Sequence, residues 1–266
     1  MYRYIGNKTK LTPHIIDRVV QMIGEKGTVA DVMAGTGSVS YELRKKGYAV
    51  VASDVMTYSY HHLVANLTLG ASPLFKGLED LGILTSSEQA YQRVLDYLNE
   101  LKPKESFFFK EFSPGGIPSN GCDARKYFTV ENAAKIDAIR EKINEWISEA
   151  VITSEEESLL KHTLIMAVNE VANISGTYGY FLSEFKKNAI EPIFLKPEEF
   201  YSDNCEGHIV MRGYAEDLAK SITADLCYID PPYMKRQYAA NYHILETIAR
   251  GDFPDAVGKS GLRDWW

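Results

Sequence analysis

The sequence predicts an α/β protein whose parallel sheet carries helices on its faces and is split by a mostly helical insert. Three observations predict it. An apolar run ending near an acid, residues 28–33, passes through a glycine-bearing turn into a helical pattern, and the same alternation repeats over residues 48–68. That rhythm stops near residue 71 and resumes near residue 208. The chain of 266 residues, 45% hydrophobic, suits one large core domain carrying an insert.

Residues 28–33 (TVADVM) read as a short buried strand, followed by the turn 34–37 and a helix reaching Lys46. After Gly47, residues 48–53 read as a second strand ending at Asp54, and 58–68 as a helix. Residues 86–100 alternate apolar and charged side chains at helical spacing. The stretch 107–128 mixes Phe107, Phe108 and Phe109 with Pro, Gly, Ser and Asn and reads as a loop. Thr129 is the expected N-cap of a helix to about residue 150, and Ser154 with Glu157 forms a capping box for another ending near Asn173. Residues 208–211 and 226–229 read as strands with a helix over 216–222 between them. The expected division is a first core part over 1–70, a helical insert over 71–200 and a second core part over 201–266.

Composition narrows the function classes. The three cysteines, Cys122, Cys205 and Cys227, are widely spaced and match neither a disulfide framework nor a zinc site, so no metal is expected and a reducing cytoplasm fits. Nothing near Met1 resembles an export signal, and no apolar run approaches the roughly 18 residues of a membrane span. A net charge of −7 gives no whole-chain hint of nucleic acid, but one basic surface is enough to neutralise phosphates.

Two motifs carry chemistry. In "ADVMAGTGSVS", Gly35 and Gly37 follow the first strand, where a ligand can approach the backbone and the next helix N-terminus. Asp54 stands at the end of the second strand, where an acid grips ribose hydroxyls in dinucleotide folds. A P-loop is excluded because no Gly-Lys-Ser/Thr follows, and Ser40 occupies the place of a third glycine, so a tight turn without ligand stays open. The second motif is Asp230-Pro231-Pro232-Tyr233. Two prolines stiffen the loop and donate no hydrogen bond. An acid and a backbone carbonyl in such a loop can accept both N–H groups of an aromatic amine, and Tyr233 can stack on its ring.

These residues resemble a known family. Asp-Pro-Pro-Tyr, "DVMAGTG" and the N-terminal "RYIGNKTKL" are similar to the Dam-related class of DNA adenine-N6 methyltransferases. Within that class, "KYFTVENAAKIDAIREKINEW", "ANISGTYGYFL" and "RQYAANYHILETIA" are most similar to type IIS modification methylases of the FokI kind. The resemblance runs over nearly the whole chain in family order.

It implies a Rossmann-like, S-adenosylmethionine-dependent sheet and methylation of adenine N6 in duplex DNA, in the setting of a restriction-modification system. By resemblance Tyr4 and Lys8 contact the methionine part of the cofactor, Asp31 and Gly35 line its amino-acid side, Gly37 allows close approach, and Asp54 meets the ribose. Glu216 or Asp217 borders the cofactor's adenine, although a helix-start acid explains them almost as well. Asp230, Pro231, Pro232 and Tyr233 would hold the flipped target base, and the insert would meet DNA through Lys110, Arg125, Lys126, Asn173, Tyr178, Lys186 and Lys187. Lys102 and Lys104 belong to the same set. Family members usually continue past "GKSGLRDWW", so the sheet's C-terminal strands are expected to be missing, with a second chain or segment completing it. That leaves two alternatives: an inactive fragment or half of a split enzyme, and a methyltransferase acting on an RNA adenine or a protein glutamine.

Overall fold

The computed structural model describes residues 8–84, 88–202, 207–231 and 238–263. In chain order the elements are α1 (Thr12–Ile23), β1 (Thr28–Asp31), α2 (Ser38–Lys45), β2 (Ala49–Asp54), α3 (Thr57–Leu67), α4 (Lys76–Asp80), α5 (Ala90–Glu100), α6 (Phe107–Phe112), α7 (Val130–Ser148), α8 (Ser154–Val171), β3 (Ile209–Arg212), α9 (Ala215–Leu218), β4 (Leu226–Tyr228), α10 (Tyr238–Asn241), α11 (His243–Arg250), β5 (Ala256–Val257) and β6 (Leu262–Arg263). They form two compact units. Among the described residues, those within 8–73 and 199–231 make one, and those within 74–198 and 238–263 make the other. Residues 238–263, which the sequence reading groups with the second core part, thus pack in the helical unit.

The first unit is an α/β sheet. Four strands run parallel in the order β3-β2-β1-β4, with Asp31 beside Ala52 and Tyr228, and Asp54 beside Arg212. The two inner strands are built of Val and Ala, as burial on both faces requires. Val29, Val50 and Ala52 pack with Ile16, Val19, Val39, Leu43, Leu63 and Leu67 on one face, while Ala30, Val32 and Val51 form a smaller cluster. The helix α1 was not foreseen, although Pro13 in its first turn and the apolar spacing of Ile16 and Val19 announce it.

Arg44 ties this unit together. Its buried guanidinium donates to the carbonyls of Asn66 (2.6 Å), Leu69 (3.2 Å) and Tyr201 (2.7 Å), so one side chain of α2 joins the end of α3 to the chain returning after the insert.

In the helical unit, α7 begins as expected, with the Thr129 side chain accepting from the Asn132 N–H. The capping box of α8 lies one residue earlier than Ser154 and Glu157. Thr153 accepts from Glu156 N–H (3.2 Å) and Glu156 accepts from Thr153 N–H (2.9 Å). Its other oxygen accepts from Phe75 N–H (2.6 Å), which selects this register over the neighbouring one. The expected loop at 107–128 starts with α6, because Asp137 of α7 accepts from the N–H groups of Ser106, Phe108 and Phe109 and Phe108 and Phe112 are buried. Among the described residues no helix is long and apolar enough to cross a membrane.

Candidate active site

Three neighbouring strands of the sheet deliver acids at their carboxyl ends. β1 ends on Asp31, β2 ends on Asp54, and Asp230 follows β4 by two residues. Because β4, β1 and β2 are adjacent and parallel, the three carboxylates share one edge of the sheet, where ligands of open α/β sheets bind.

The turn after β1 is shaped for close approach. Gly35 and Gly37 take positive φ of 57° and 75°, and a Cβ on Gly37 would come within 2.8 Å of Leu63 Cδ2. Asp54 holds this turn, one oxygen accepting from Gly35 N–H (2.8 Å) and the other from Met56 N–H (2.9 Å).

Asp31 is almost wholly buried. Its Oδ2 accepts from Ser40 Oγ at 2.7 Å, and its Oδ1 has no hydrogen-bond partner. Burial, opposed by Ser40 and reinforced by the charges of Asp54 and Asp230, pushes the carboxyl up to about 7. An orphaned, buried carboxylate oxygen beside a glycine turn is a vacant acceptor for a ligand's cation or hydroxyl. These features fit the amino-acid end of S-adenosylmethionine.

Lys8 and Asp230 meet directly, Nζ to Oδ2 at 2.8 Å, both side chains being partly exposed. The lysine implied for the cofactor's carboxylate and the acid implied for the target amine are thus paired with each other. Pro231 follows on the surface, whereas Tyr4, Pro232 and Tyr233 lie outside the described residues. Glu216 and Asp217 are exposed in the first turn of α9, just after Tyr214, itself 64% exposed. Among the described residues no group of three or more His, Cys, Asp or Glu is placed to hold a metal ion.

The residues assigned to DNA divide by exposure. Lys110 and Lys187 are exposed. Lys126 and Lys186 are half-buried and brace the helical unit, Lys126 Nζ donating to Ser183 O (2.9 Å) and Lys186 Nζ to Ile174 O (2.8 Å). Lys104 is paired with Glu141. Arg125, Asn173 and Tyr178 are fully buried. The Arg125 guanidinium pairs with Glu111 (2.8 Å) and donates to Asn120 and to the carbonyls of Lys259 and Gly258, so its fork is turned inward instead of toward a phosphate.

Residues 4–266 match the family of D12 class N6 adenine-specific DNA methyltransferases. The chain belongs to that family. It is 37% identical to the type II methyltransferase M.FokI of Planomicrobium okeanokoites over 99% of this chain and 39% of the relative. It is 34% identical to the type II methyltransferase M.NlaIII of Neisseria lactamica over 98% of this chain and 73% of the relative. It is 33% identical to the modification methylase StsI of Streptococcus sanguinis over 99% of this chain and 38% of the relative. The chain therefore spans about two fifths of the length of M.FokI and StsI and nearly three quarters of M.NlaIII. No solved structure matches.

Ser40 joins the candidate site on a signal legible in the sequence. It stands where a third glycine would, and a hydroxyl in the first turn of α2, just after a strand ending in an acid, is placed to donate to that acid. The Lys8–Asp230 pair had no such signal, since its partners stand at opposite ends of the chain.

Proposed function

We propose that this protein transfers a methyl group from S-adenosylmethionine to the N6 amine of an adenine in duplex DNA, the base being flipped out of the helix. The observation that carries this reading is the shared sheet edge, with a cofactor-type glycine turn on β1 and the Asp230 turn after the adjacent β4. When bound, the cofactor supplies a methyl group on a positively charged sulfur. Asp31 offers its unpartnered oxygen, and the bare backbone at Gly35 and Gly37 admits the ligand closely. Asp54 fixes that turn and receives a ribose hydroxyl. Lys8 leaves Asp230 for the cofactor's carboxylate.

Asp230, so released, accepts an N–H of the amine. That pulls the nitrogen toward tetrahedral geometry and offsets the positive charge that develops on it during attack. Transfer is direct, with no covalent enzyme intermediate. Cys227, exposed on β4, fits this scheme: partial desolvation, and then the Asp31 carboxylate, raise its thiol and so disfavour the thiolate. Tyr4 on the cofactor, Tyr233 stacked on the base, and Glu216 or Asp217 near the cofactor's adenine complete the site. Lys110 and Lys187 meet phosphates, and Lys126 and Lys186 back them. A cytoplasmic place beside a restriction nuclease accords with the chemistry.

The test is transfer of labelled methyl to mixed-sequence duplex DNA, read as N6-methyladenine after digestion, with Asp230→Ala alongside. Product that disappears in the variant is the expected result. Product that persists in it, or label on RNA or protein alone, would overturn the assignment.

A further inference from the structure

The strand β4 ends on Tyr228, which is the ladder neighbour of Asp31 on β1 and stands two residues before Asp230. Burial alternates along this stretch. Leu226, Tyr228 and Asp230 are partly buried, while Asp225, Cys227 and Ile229 are exposed. Leu226 and Tyr228 pack against the core cluster that holds Val29 of β1 and Val39 and Leu43 of α2. Asp31, two residues after Val29, turns to the same side, where its carboxylate meets Ser40 of α2. Asp31, Tyr228 and Asp230 therefore project from one face of the sheet, at the strand ends where ligands of parallel sheets bind.

Two polar atoms on this face are left over. Asp31 Oδ1 is buried without a hydrogen-bond partner. Among the described residues the Tyr228 hydroxyl makes no hydrogen bond either, so the two ladder neighbours do not satisfy each other. Burial, and then the charges of Asp230 and Asp31, push that hydroxyl up to about 12, which keeps it neutral.

Charge decides what fits between the two oxygens. Asp31 feels the carboxylates of Asp54 and Asp230, and Lys8, paired with Asp230, is the cation set against them. An anionic group would be repelled at Asp31, whereas a primary ammonium brings a positive charge and three N–H donors, enough to reach a carboxylate oxygen and a phenol oxygen together. Resting on the reading of this protein as an S-adenosylmethionine-dependent methyltransferase, we infer that Tyr228 contacts the cofactor, its hydroxyl oxygen accepting one N–H of the α-ammonium while Asp31 Oδ1 accepts another. The end of β4 then serves both partners of the reaction, Tyr228 holding the donor and Asp230, two residues on, the acceptor amine.

The experiment is calorimetric titration of wild type and Tyr228→Phe at pH 8 with S-adenosylhomocysteine and with its deaminated analogue, which keeps the carboxylate and lacks the ammonium. Phenylalanine retains the ring and removes only the oxygen. Wild type should prefer the amine-bearing ligand, and that preference should shrink about tenfold in the variant, as for loss of one hydrogen bond to a charged group, with the deaminated analogue bound equally by both proteins. Equal weakening of both ligands, which a packing role would give, an unchanged preference in the variant, or no preference in wild type would each overturn the inference. Methyl transfer to DNA by the wild type, assayed alongside, would leave the methyltransferase reading standing in all three cases. A wild type that binds neither ligand and transfers no methyl would sink that reading and the inference with it.

Discussion

At the residue scale, Asp31 is a carboxyl group taken almost wholly out of water. With one oxygen satisfied by Ser40 and the other bare, its carboxyl sits at about 7 because of burial, against a carboxylate's ordinary 3.8. A raised folded-state value means that the folded chain holds a proton the unfolded chain has lost. Stability from this group is therefore present at acid pH and declines as pH rises from about 4 to about 7. Asp31→Asn should flatten that decline in thermal melts of the free protein. A cation placed at the bare oxygen would pull the carboxyl down again. Binding of S-adenosylmethionine near pH 6 should therefore release a proton, detected as a dependence of calorimetric heat on buffer ionisation enthalpy, and the release should vanish in Asp31→Asn. Ser40→Ala removes the bond that lowers the carboxyl, so it should weaken cofactor binding more at pH 7 than at pH 9.

At the element scale, helix ends decide more than helix interiors. The N-terminus of α8 joins Thr153, Glu156 and Phe75 in one cluster, in which Glu156 accepts two backbone N–H groups and Thr153 accepts one. Thr153→Ala should cost about 1 kcal/mol. Glu156→Ala should cost more, since it strands the buried Phe75 N–H as well, and urea unfolding of the two variants ranks them. The neighbouring register, Ser154 with Glu157, satisfies the same sequence pattern, and only the approach of Phe75 separates the two. The N-terminus of α6 makes the same point. Its run of three phenylalanines among loop-type residues carries no local signal, and its first-turn N–H groups, which lack partners within the helix, are met by Asp137 from α7.

At the scale of the whole molecule, two buried groups, Asp31 and His243, answer acid in opposite senses. His243 is buried beside Arg125 and Arg263, and burial lowers its ring to about 4. The depressed value means stability that is full above about 6.5 and is lost as pH falls toward 4, the opposite sense to Asp31. His243→Gln should reduce the acid sensitivity of the helical unit, measured by amide exchange of α11 at pH 4.5 and pH 7. With a net charge of −7, the proposed DNA contact falls to local basic surface, and Lys102, Lys104, Lys110 and Lys187 are exposed members of the assigned set. Lys187→Ala should lower the slope of log affinity against log salt by about 0.9 without changing sequence preference.

The α/β alternation, β1 and β2, the start of α7 and the family motifs were legible in the sequence, because strand periodicity, glycine turns and helix caps are properties of neighbouring residues. Tertiary structure alone decided which of the singled-out side chains are exposed and which are buried. Arg125 and Tyr178 read as surface contacts and are buried, because Glu111 and Asn169 meet them inside the helical unit. Asp31 carries an unpartnered oxygen inside the sheet unit, Lys8 lies on Asp230 from the other end of the chain, and β1 and β4, far apart in sequence, are neighbours in the sheet. Burial and charge are sums over such distant neighbours, which no local pattern records.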